Sequence, residues 1–158
     1  VDDSSAVSGN TYTDRVKKYL EGKKSEVLII AGELESEIAE LESKDDRMDF
    51  LEDAGLSEPG VNKMIRSAYT LLNLISFFTM GPKENRAWTI KKGMNAQQAA
   101  GNIHSDMERG FIRAEVMKYR DFVELGSEHK VKEAGKFHIE GKHYIVVDGD
   151  ILHIRFNV

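Results

Sequence analysis

The 158-residue sequence has no cysteine, no excess of positive charge and no long apolar run. Without cysteine it can build neither a disulfide framework nor a thiolate metal site, and we expect a reducing, cytoplasmic location. The formal net charge of −5 argues against attraction of the whole surface to nucleic acid, but leaves a local basic face open. No stretch approaches the roughly 18 consecutive apolar residues of a membrane-spanning helix, so we expect no membrane partner.

Motifs of the common catalytic sites are missing as well. The sequence contains no glycine-rich phosphate loop, no Gly-x-Gly-x-x-Gly turn and no His-Glu-x-x-His zinc helix. Its serines lie outside any nucleophile-elbow context. Taken alone, these residues are therefore not expected to cradle a triphosphate.

The apolar patterns predict an α+β protein, with helices dominating the first half. We expect a helix that is capped by Thr11 or Thr13 and runs to about Glu21, a helix that begins near Glu33, another after Ser43, and a long helix capped by Ser57. Between them, the continuous apolar run 26–30 predicts a buried parallel strand that ends at a tight turn of small residues.

After Ile75 the apolar period changes from helical to extended. Asn95 is a candidate N-cap for a helix that begins with Ala96, and short helical turns are predicted over 121–125 and 128–134. Gly149 lies in a tight turn between the last two predicted strands. Strands are predicted over 76–80, 86–92, 111–116, 144–147 and 151–156.

The histidines offer two weak catalytic hypotheses. His104 and Asp106 could form a general base or a metal-ligand pair, or they could be a capping pair of the local turn. His138, His143 and His153 could meet as a zinc site, or they could be ordinary half-exposed strand residues.

Two recognition surfaces can also be considered. Trp88 with Phe77 and Phe78 could form a platform for stacked bases, or all three could be core residues. The segment 83–118 could be a phosphate-facing patch or a mixed solvated face, because acidic residues interleave with its basic ones. Those basic residues are Lys83, Arg86, Lys91, Lys92, Arg113 and Lys118.

Several blocks in one order resemble a known family. The runs Phe77-Phe78-Thr79-Met80-Gly81 and Arg86-Ala87-Trp88-Thr89-Ile90 are similar to the C-terminal part of the Obg-like ATPases, the YchF family. The last four residues, 155–158, resemble the C-terminus of that family. Further matching blocks lie at 98–101, 103–106, 110–114, 132–136 and 144–150.

The resemblance implies a domain organisation. Residues 1–74 would be the end of an α/β P-loop nucleotide-binding domain, joined by the long helix to residues 75–158. The latter would be a TGS domain, which is a ubiquitin-like β-grasp module. Val1, in place of an initiating Met, leaves open a processed terminus, a fragment of a larger protein or an artificial boundary.

The resemblance also implies nucleotide-binding residues. Val1 and Asp3 would be positions of the family's Asn-x-x-Glu base-reading motif, with the main chain of Val1 touching the base and Asp3 standing where Glu is usual. The loop Ala31-Gly32-Glu33 would back the base through main-chain groups. Mg²⁺ would be a cofactor of the intact parent, with ligands outside these residues.

The implied function is ATP or GTP binding and hydrolysis by the parent, coupled to binding of the large ribosomal subunit, RNA or protein partners. Lys91, Lys92 and Arg113 are the residues we expect to contact phosphate or a partner. One alternative is a regulatory β-grasp module that binds protein and has no nucleotide role. Another is a free-standing hydrolase that uses His104 and Asp106.

Overall fold

Two units make up the chain, Val1–Leu71 and Leu72–Val158, here called the N-terminal unit and the C-terminal unit. The computed structural model describes residues 1–23, 25–81 and 84–157. Lys83 of the predicted basic segment lies outside the described residues, as does Val158 of the C-terminal block 155–158.

The described part of the N-terminal unit consists of helices and loops. Its buried apolar core is small and is formed where α2 and α3 pack near the first residues. The core residues are Ala6, Ala31, Leu34, Ile38 and Leu51. The helices are a 3₁₀ turn Asp3–Ser5, then α1 Thr11–Leu20, α2 Gly32–Glu40, α3 Lys44–Asp53 and α4 Gly60–Leu71.

Helix starts in this unit follow capping chemistry. The side chain of Asn10 accepts hydrogen bonds from the N–H groups of Tyr12 and Thr13, and the Thr13 hydroxyl accepts from the Asn10 N–H at 2.8 Å. This reciprocal capping box makes Asn10 the cap of α1, so the prediction of Thr11 or Thr13 was wrong. Helix α3 begins after Ser43, as predicted, and the Ser43 side chain caps it.

The predicted strand over 26–30 is wrong. These residues have no assigned strand or helix, and the apolar side chains of 27–30 are only half-buried. A strand needs a neighbouring strand to complete its ladder of hydrogen bonds. Within the described residues of this unit no second extended segment supplies one, so the apolar run remains without a ladder.

Helix α4 begins at Gly60, three residues later than the predicted cap Ser57. The Glu35 carboxylate accepts the Gly60 N–H at 2.6 Å, so a side chain from α2 satisfies the first turn. The outer face of α4 leaves Val61, Met64 and Ile65 about half exposed.

The C-terminal unit is a five-stranded sheet with helices. Its strand order is β2-β1-β5-β3-β4, in which β1 and β5 are parallel and the other neighbours are antiparallel. The elements are β1 Leu74–Met80, β2 Asn85–Lys91, α5 Ala96–Ile103, α6 Ser105–Arg109, β3 Phe111–Lys118, α7 Tyr119–Leu125, α8 Glu128–Glu133, β4 His138–Glu140 and β5 Asp150–Phe156.

Each face of this sheet has its own core. On one face α5 packs its alanines over Phe77, Val116 and Leu152, all nearly or fully inaccessible to solvent. On the other face α7 and α8 cover Met117 and Ile151. The alternation of side chains along β1, β3 and β5 therefore supplies both cores.

The helix start at Asn95 is confirmed, since Asn95 and Gln98 form a capping box. The predicted strand over 144–147 is wrong. The backbone of this segment hydrogen-bonds to the residues around the start of α5. Val146 N–H donates to Met94 O, and Ala96 N–H donates to Tyr144 O. This leaves one isolated bridge, between Asn95 and Ile145, outside the sheet.

The sheet contains one short strand that the sequence pattern did not predict, β4, which pairs with β3. The predicted turn at Gly149 is present, with a positive φ of 80° that favours glycine. Among the described residues no helix is long and apolar enough to cross a membrane.

Candidate functional site

The first residue of the chain lies against the loop that precedes α2. The ammonium group of Val1 donates a hydrogen bond to Ile30 O at 3.0 Å. Ala31 is buried in the core of the N-terminal unit, whereas Gly32 and Glu33 are exposed at the start of α2. The structure therefore brings Val1 next to the predicted loop 31–33.

What this loop can offer is main-chain chemistry. Ala31 is the N-cap of α2 and gives no side-chain cap, so the first N–H groups of the helix are not satisfied by their own cap residue. Asp3 begins the 3₁₀ turn with an exposed side chain. Asp2 caps that turn, and hydrogen bonds from Ser5 and Ser4 lower the pKa of its carboxyl.

The three predicted basic contact residues do not form one patch. Lys91 ends β2 and Lys92 follows it in a turn, and both are exposed. Arg113 lies on β3, and strands β1 and β5 separate β2 from β3. At about 4.8 Å per strand spacing, this places them roughly 14 Å apart across the sheet.

Arg113 is also partly neutralised. Its guanidinium lies 3.4 Å from a Glu115 carboxylate oxygen, and Arg155 donates to the same carboxylate at 3.1 and 2.9 Å. The Arg155 hydrogen bonds are the main cause of a lowered pKa of Glu115. Lys91 and Lys92 thus remain the better candidates for contact with an anion.

A second polar network lies where β3 and β5 meet α7. Asp150 is completely buried and accepts hydrogen bonds from Lys118 Nζ at 2.5 Å, Tyr144 Oη at 2.8 Å and Val147 N–H at 2.9 Å. Burial opposes the charge of Lys118, but the bonds to Asp150 and Tyr144 outweigh it and raise the pKa of Lys118. Burial raises the pKa of Tyr144. The network satisfies a buried carboxylate and anchors the start of β5.

His104 is a helix cap. Its Nδ1 accepts the Asp106 N–H at 3.2 Å at the start of α6. The carboxylate of Asp106 pairs with Arg109, and that hydrogen bond lowers the pKa of Asp106. The capping interpretation therefore accounts for both residues.

His138, His143 and His153 do not form a metal site. No group of three or more His, Cys, Asp or Glu among residues 1–23, 25–81 and 84–157 could hold a metal ion. His153 instead lies with its Nε2 at 3.5 Å from Glu128 Oε2.

The proposed aromatic platform is wrong. Phe77 is completely buried, and Phe78 points to the opposite face of the sheet because successive strand residues alternate. Trp88 packs at the edge of the first core, and its Nε1 donates to Thr79 Oγ1 at 2.9 Å.

The sequence pattern missed an apolar groove of about 320 Å³ beside the edge strand β2. Its floor and walls come from β1, β2, β5 and α7, and the Phe78 and Tyr119 rings lie 5.4 Å apart in it. The signal was present on β1, where apolar residues occupy both alternating faces. The lining includes Phe78, Met80, Ala87, Tyr119, Phe122 and Ile151.

Known proteins match nearly the whole of this chain. The family model YchF-GTPase_C, described as "Protein of unknown function (DUF933)", matches residues 74–157. "Ribosome-binding ATPase YchF" of Haemophilus ducreyi is 52% identical over 149 residues, which cover 94% of this chain and 41% of that protein. "Obg-like ATPase 1" of Homo sapiens is 47% identical over 150 residues, covering 94% of this chain and 37% of that protein.

A solved structure gives the same relationship. The YchF GTPase of Schizosaccharomyces pombe aligns with a TM-score of 0.80 and 34% identity, over 93% of this chain and 39% of that chain. The chain thus spans about two fifths of the length of the relatives it matches. With its C-terminal unit matched to the family model, and both units aligned to these relatives, the chain belongs to the YchF family of Obg-like ATPases.

Proposed function

We propose that this chain is the C-terminal part of a cytoplasmic, ribosome-associated P-loop ATPase or GTPase. The observation that carries the proposal is the match of 94% of the chain, at about half identity, to proteins named ribosome-binding ATPases. In the intact protein the N-terminal unit would complete the nucleotide domain, and the C-terminal unit would be a TGS domain that binds the large ribosomal subunit or RNA.

The architecture of the C-terminal unit supports the TGS assignment. A mixed sheet in the order β2-β1-β5-β3-β4, with α5 packed on one face, is the arrangement expected of a β-grasp module. A module of this kind is a rigid platform whose exposed edges and loops can recognise partners.

The first residues support a role in nucleotide binding. Val1 lies hydrogen-bonded to Ile30, beside the open first turn of α2, so main-chain groups of both segments could face one adenine or guanine. We propose that Val1, Asp3 and the loop Ala31-Gly32-Glu33 position the base. Mg²⁺ would be a cofactor of the intact protein, with its ligands outside these residues.

Charge reversal at the end of β2 tests the recognition role. The unmutated 158-residue chain and its Lys91→Glu/Lys92→Glu variant are each sedimented with purified large ribosomal subunits at low salt. Because each lysine that neutralises a phosphate releases a counterion, we expect about a tenfold loss of binding and a weaker salt dependence.

Lys17→Glu/Lys18→Glu is the matched control, since it makes the same charge change on the exposed α1 of the other unit. It should leave binding within about twofold if the lysines act locally. Equal binding by all three proteins would contradict the role of Lys91 and Lys92. Turnover of ATP or GTP by the 158-residue chain alone would contradict the assignment of hydrolysis to the intact parent.

A further inference from the structure

The edge strand β2 combines two features that belong together in one kind of binding site. It is seven residues long, β1 is its only partner strand among residues 1–23, 25–81 and 84–157, and the apolar groove opens beside it. The opposite edge of the sheet, β4, has only three residues. Long edge strands are the positions at which another chain can add a strand.

The ladder between β1 and β2 shows which main-chain groups face outward. Gly81 N–H donates to Glu84 O at 3.0 Å, and Lys92 N–H donates to Asn73 O at 2.7 Å. Along an antiparallel ladder, hydrogen-bonded residue pairs alternate with pairs that are not hydrogen-bonded. The N–H and C=O of Ala87 and the N–H of Lys91 therefore point away from β1. These outward groups are the ones that an added strand would pair with.

The strand has few of the devices that block such pairing. Its register with β1 is continuous from Leu74 opposite Lys91 to Met80 opposite Asn85, and no bulge interrupts it. No proline lies within 85–91. The edge is therefore regular and geometrically ready to accept a strand.

The groove lies on the face of the sheet that Ala87 shares with Phe78. Ala87 is exposed and small, so the wall of the groove is low on the side of the edge. A strand hydrogen-bonded to β2 would run about 4.8 Å from it and would direct every second side chain to this face. An aliphatic side chain of the added strand that lies on this face, beside Ala87, can reach over Ala87 into the groove. There it would approach Phe78, Met80 and Phe122.

Charge decides the chemistry of the partner. At one end of the edge strand Arg86 lies 3.7 Å from the Glu84 carboxylate, and at the other end Lys91 and Lys92 are exposed, which gives three positive charges and one negative charge among these residues. Pairing with a second copy of this chain would bring together two edges that each carry a net positive charge. The apolar groove and the main-chain edge match a polypeptide strand better than a chain of phosphates.

We propose that β2 is a docking edge for an extended acidic peptide, which adds as a sixth strand and places an aliphatic side chain in the groove. This site does not depend on the nucleotide or ribosome roles proposed above. Main-chain hydrogen bonds would supply affinity, and the groove and flanking lysines would supply specificity.

The probe is a synthetic peptide, acetyl-Asp-Glu-Val-Ile-Val-Ile-Asp-amide, titrated into the ¹⁵N-labelled 158-residue chain. We expect amide shifts concentrated on β2 and the groove residues, with slowed exchange of the Ala87 and Lys91 N–H groups. A peptide whose central residues are replaced by proline should bind at least about tenfold more weakly, because proline removes ladder donors.

Two variants at one position separate main-chain pairing from other contacts. Ala87→Pro removes an outward N–H without removing a bond to β1, and it should weaken peptide binding about tenfold. Ala87→Ser keeps the N–H and the small size and should bind within about twofold. Amide spectra and thermal unfolding of each variant confirm that the sheet is intact.

Three results would overturn the proposal. They are absence of binding at millimolar peptide, equal binding by the Ala87→Pro variant with an intact spectrum, and displacement of the peptide shifts by a single-stranded RNA that binds the same edge more tightly. Because Lys91 and Lys92 belong to both proposed contacts, the Ala87→Pro variant separates them: it should lose peptide binding and keep binding to the large ribosomal subunit.

Discussion

The two units differ in how completely they bury their apolar side chains. The C-terminal unit encloses large residues such as Phe77, Met117 and Ile151 almost completely, on both faces of one sheet. The N-terminal unit has a small core centred on Leu34 and Ile38. Tyr12, Tyr19, Val61, Met64 and Ile65 remain about half exposed or more.

This difference predicts which of the two units has the larger free energy of unfolding. In the C-terminal unit the strands satisfy one another's main-chain groups, so burial and hydrogen bonding support each other. In the N-terminal unit the apolar run 27–30 has no partner strand among the described residues, and its helices cover few side chains. We therefore expect the two units to unfold separately, with the N-terminal unit less stable.

The largest expected effect comes from removing the centre of the larger core. Phe77→Ala should destabilise the C-terminal unit by about 3–5 kcal/mol, through lost burial and a residual cavity. Trp88, which is the sole tryptophan of the chain and lies in this unit, reports its unfolding by fluorescence. Leu34→Ala is the matched change in the N-terminal unit, and it should leave the Trp88 transition in place. A Trp88 transition that moves equally in both variants would break the comparison.

The next effect concerns the buried carboxylate of the C-terminal unit. Asp150→Asn should cost about 2–3 kcal/mol, because it removes the charge that Lys118, Tyr144 and Val147 N–H are arranged to bond. Asp148→Asn is the control, since exposed Asp148 accepts a single described bond, from Ser76 N–H, and should cost about 1 kcal/mol or less. Chemical denaturation followed by Trp88 fluorescence measures both. Equal costs would show that the network is not specifically important.

The smallest effect is a pH dependence. Arg155 lowers the folded-state pKa of Glu115 below the ordinary value of 4.5. The ionised Glu115 therefore stabilises the folded state fully at pH values above 4.5. This stabilisation is lost as the pH falls through the lower folded-state pKa. Glu115→Gln should cost about 1 kcal/mol at pH 7 and have a smaller effect at pH 3. An equal cost at both pH values would contradict the assignment.

The sequence predicted the C-terminal unit better because its signals are local. The Asn95 capping box, the Gly149 turn and the apolar run of β1 are each encoded within a few residues. The prediction for 144–147 failed because a run of apolar and β-branched residues predicts extended backbone but not its partner. The main-chain groups of that segment bond to the connection before α5.

In the N-terminal unit the failures concern contacts between distant segments. The start of α4 is set by Glu35 from another helix, which no local pattern around Ser57 encodes. The run 26–30 has strand composition but no neighbouring strand.

The candidate contact residues show the same limit. Lys91 and Arg113 are both basic in sequence, yet the strand order separates them and Glu115 compensates one. The roles of Val1, Asp3 and the loop Ala31-Gly32-Glu33 remain predictions from family resemblance.

Native-state hydrogen exchange of the 158-residue chain tests the comparison most directly. We predict that the slowest amides lie in β1, β3 and β5 and exchange only by unfolding of the whole C-terminal unit. Amides of α1 and α4 should exchange through openings at least about 2 kcal/mol less costly, since their helices bury few side chains. Equal protection of the two units, lost together as denaturant is added, would contradict the account.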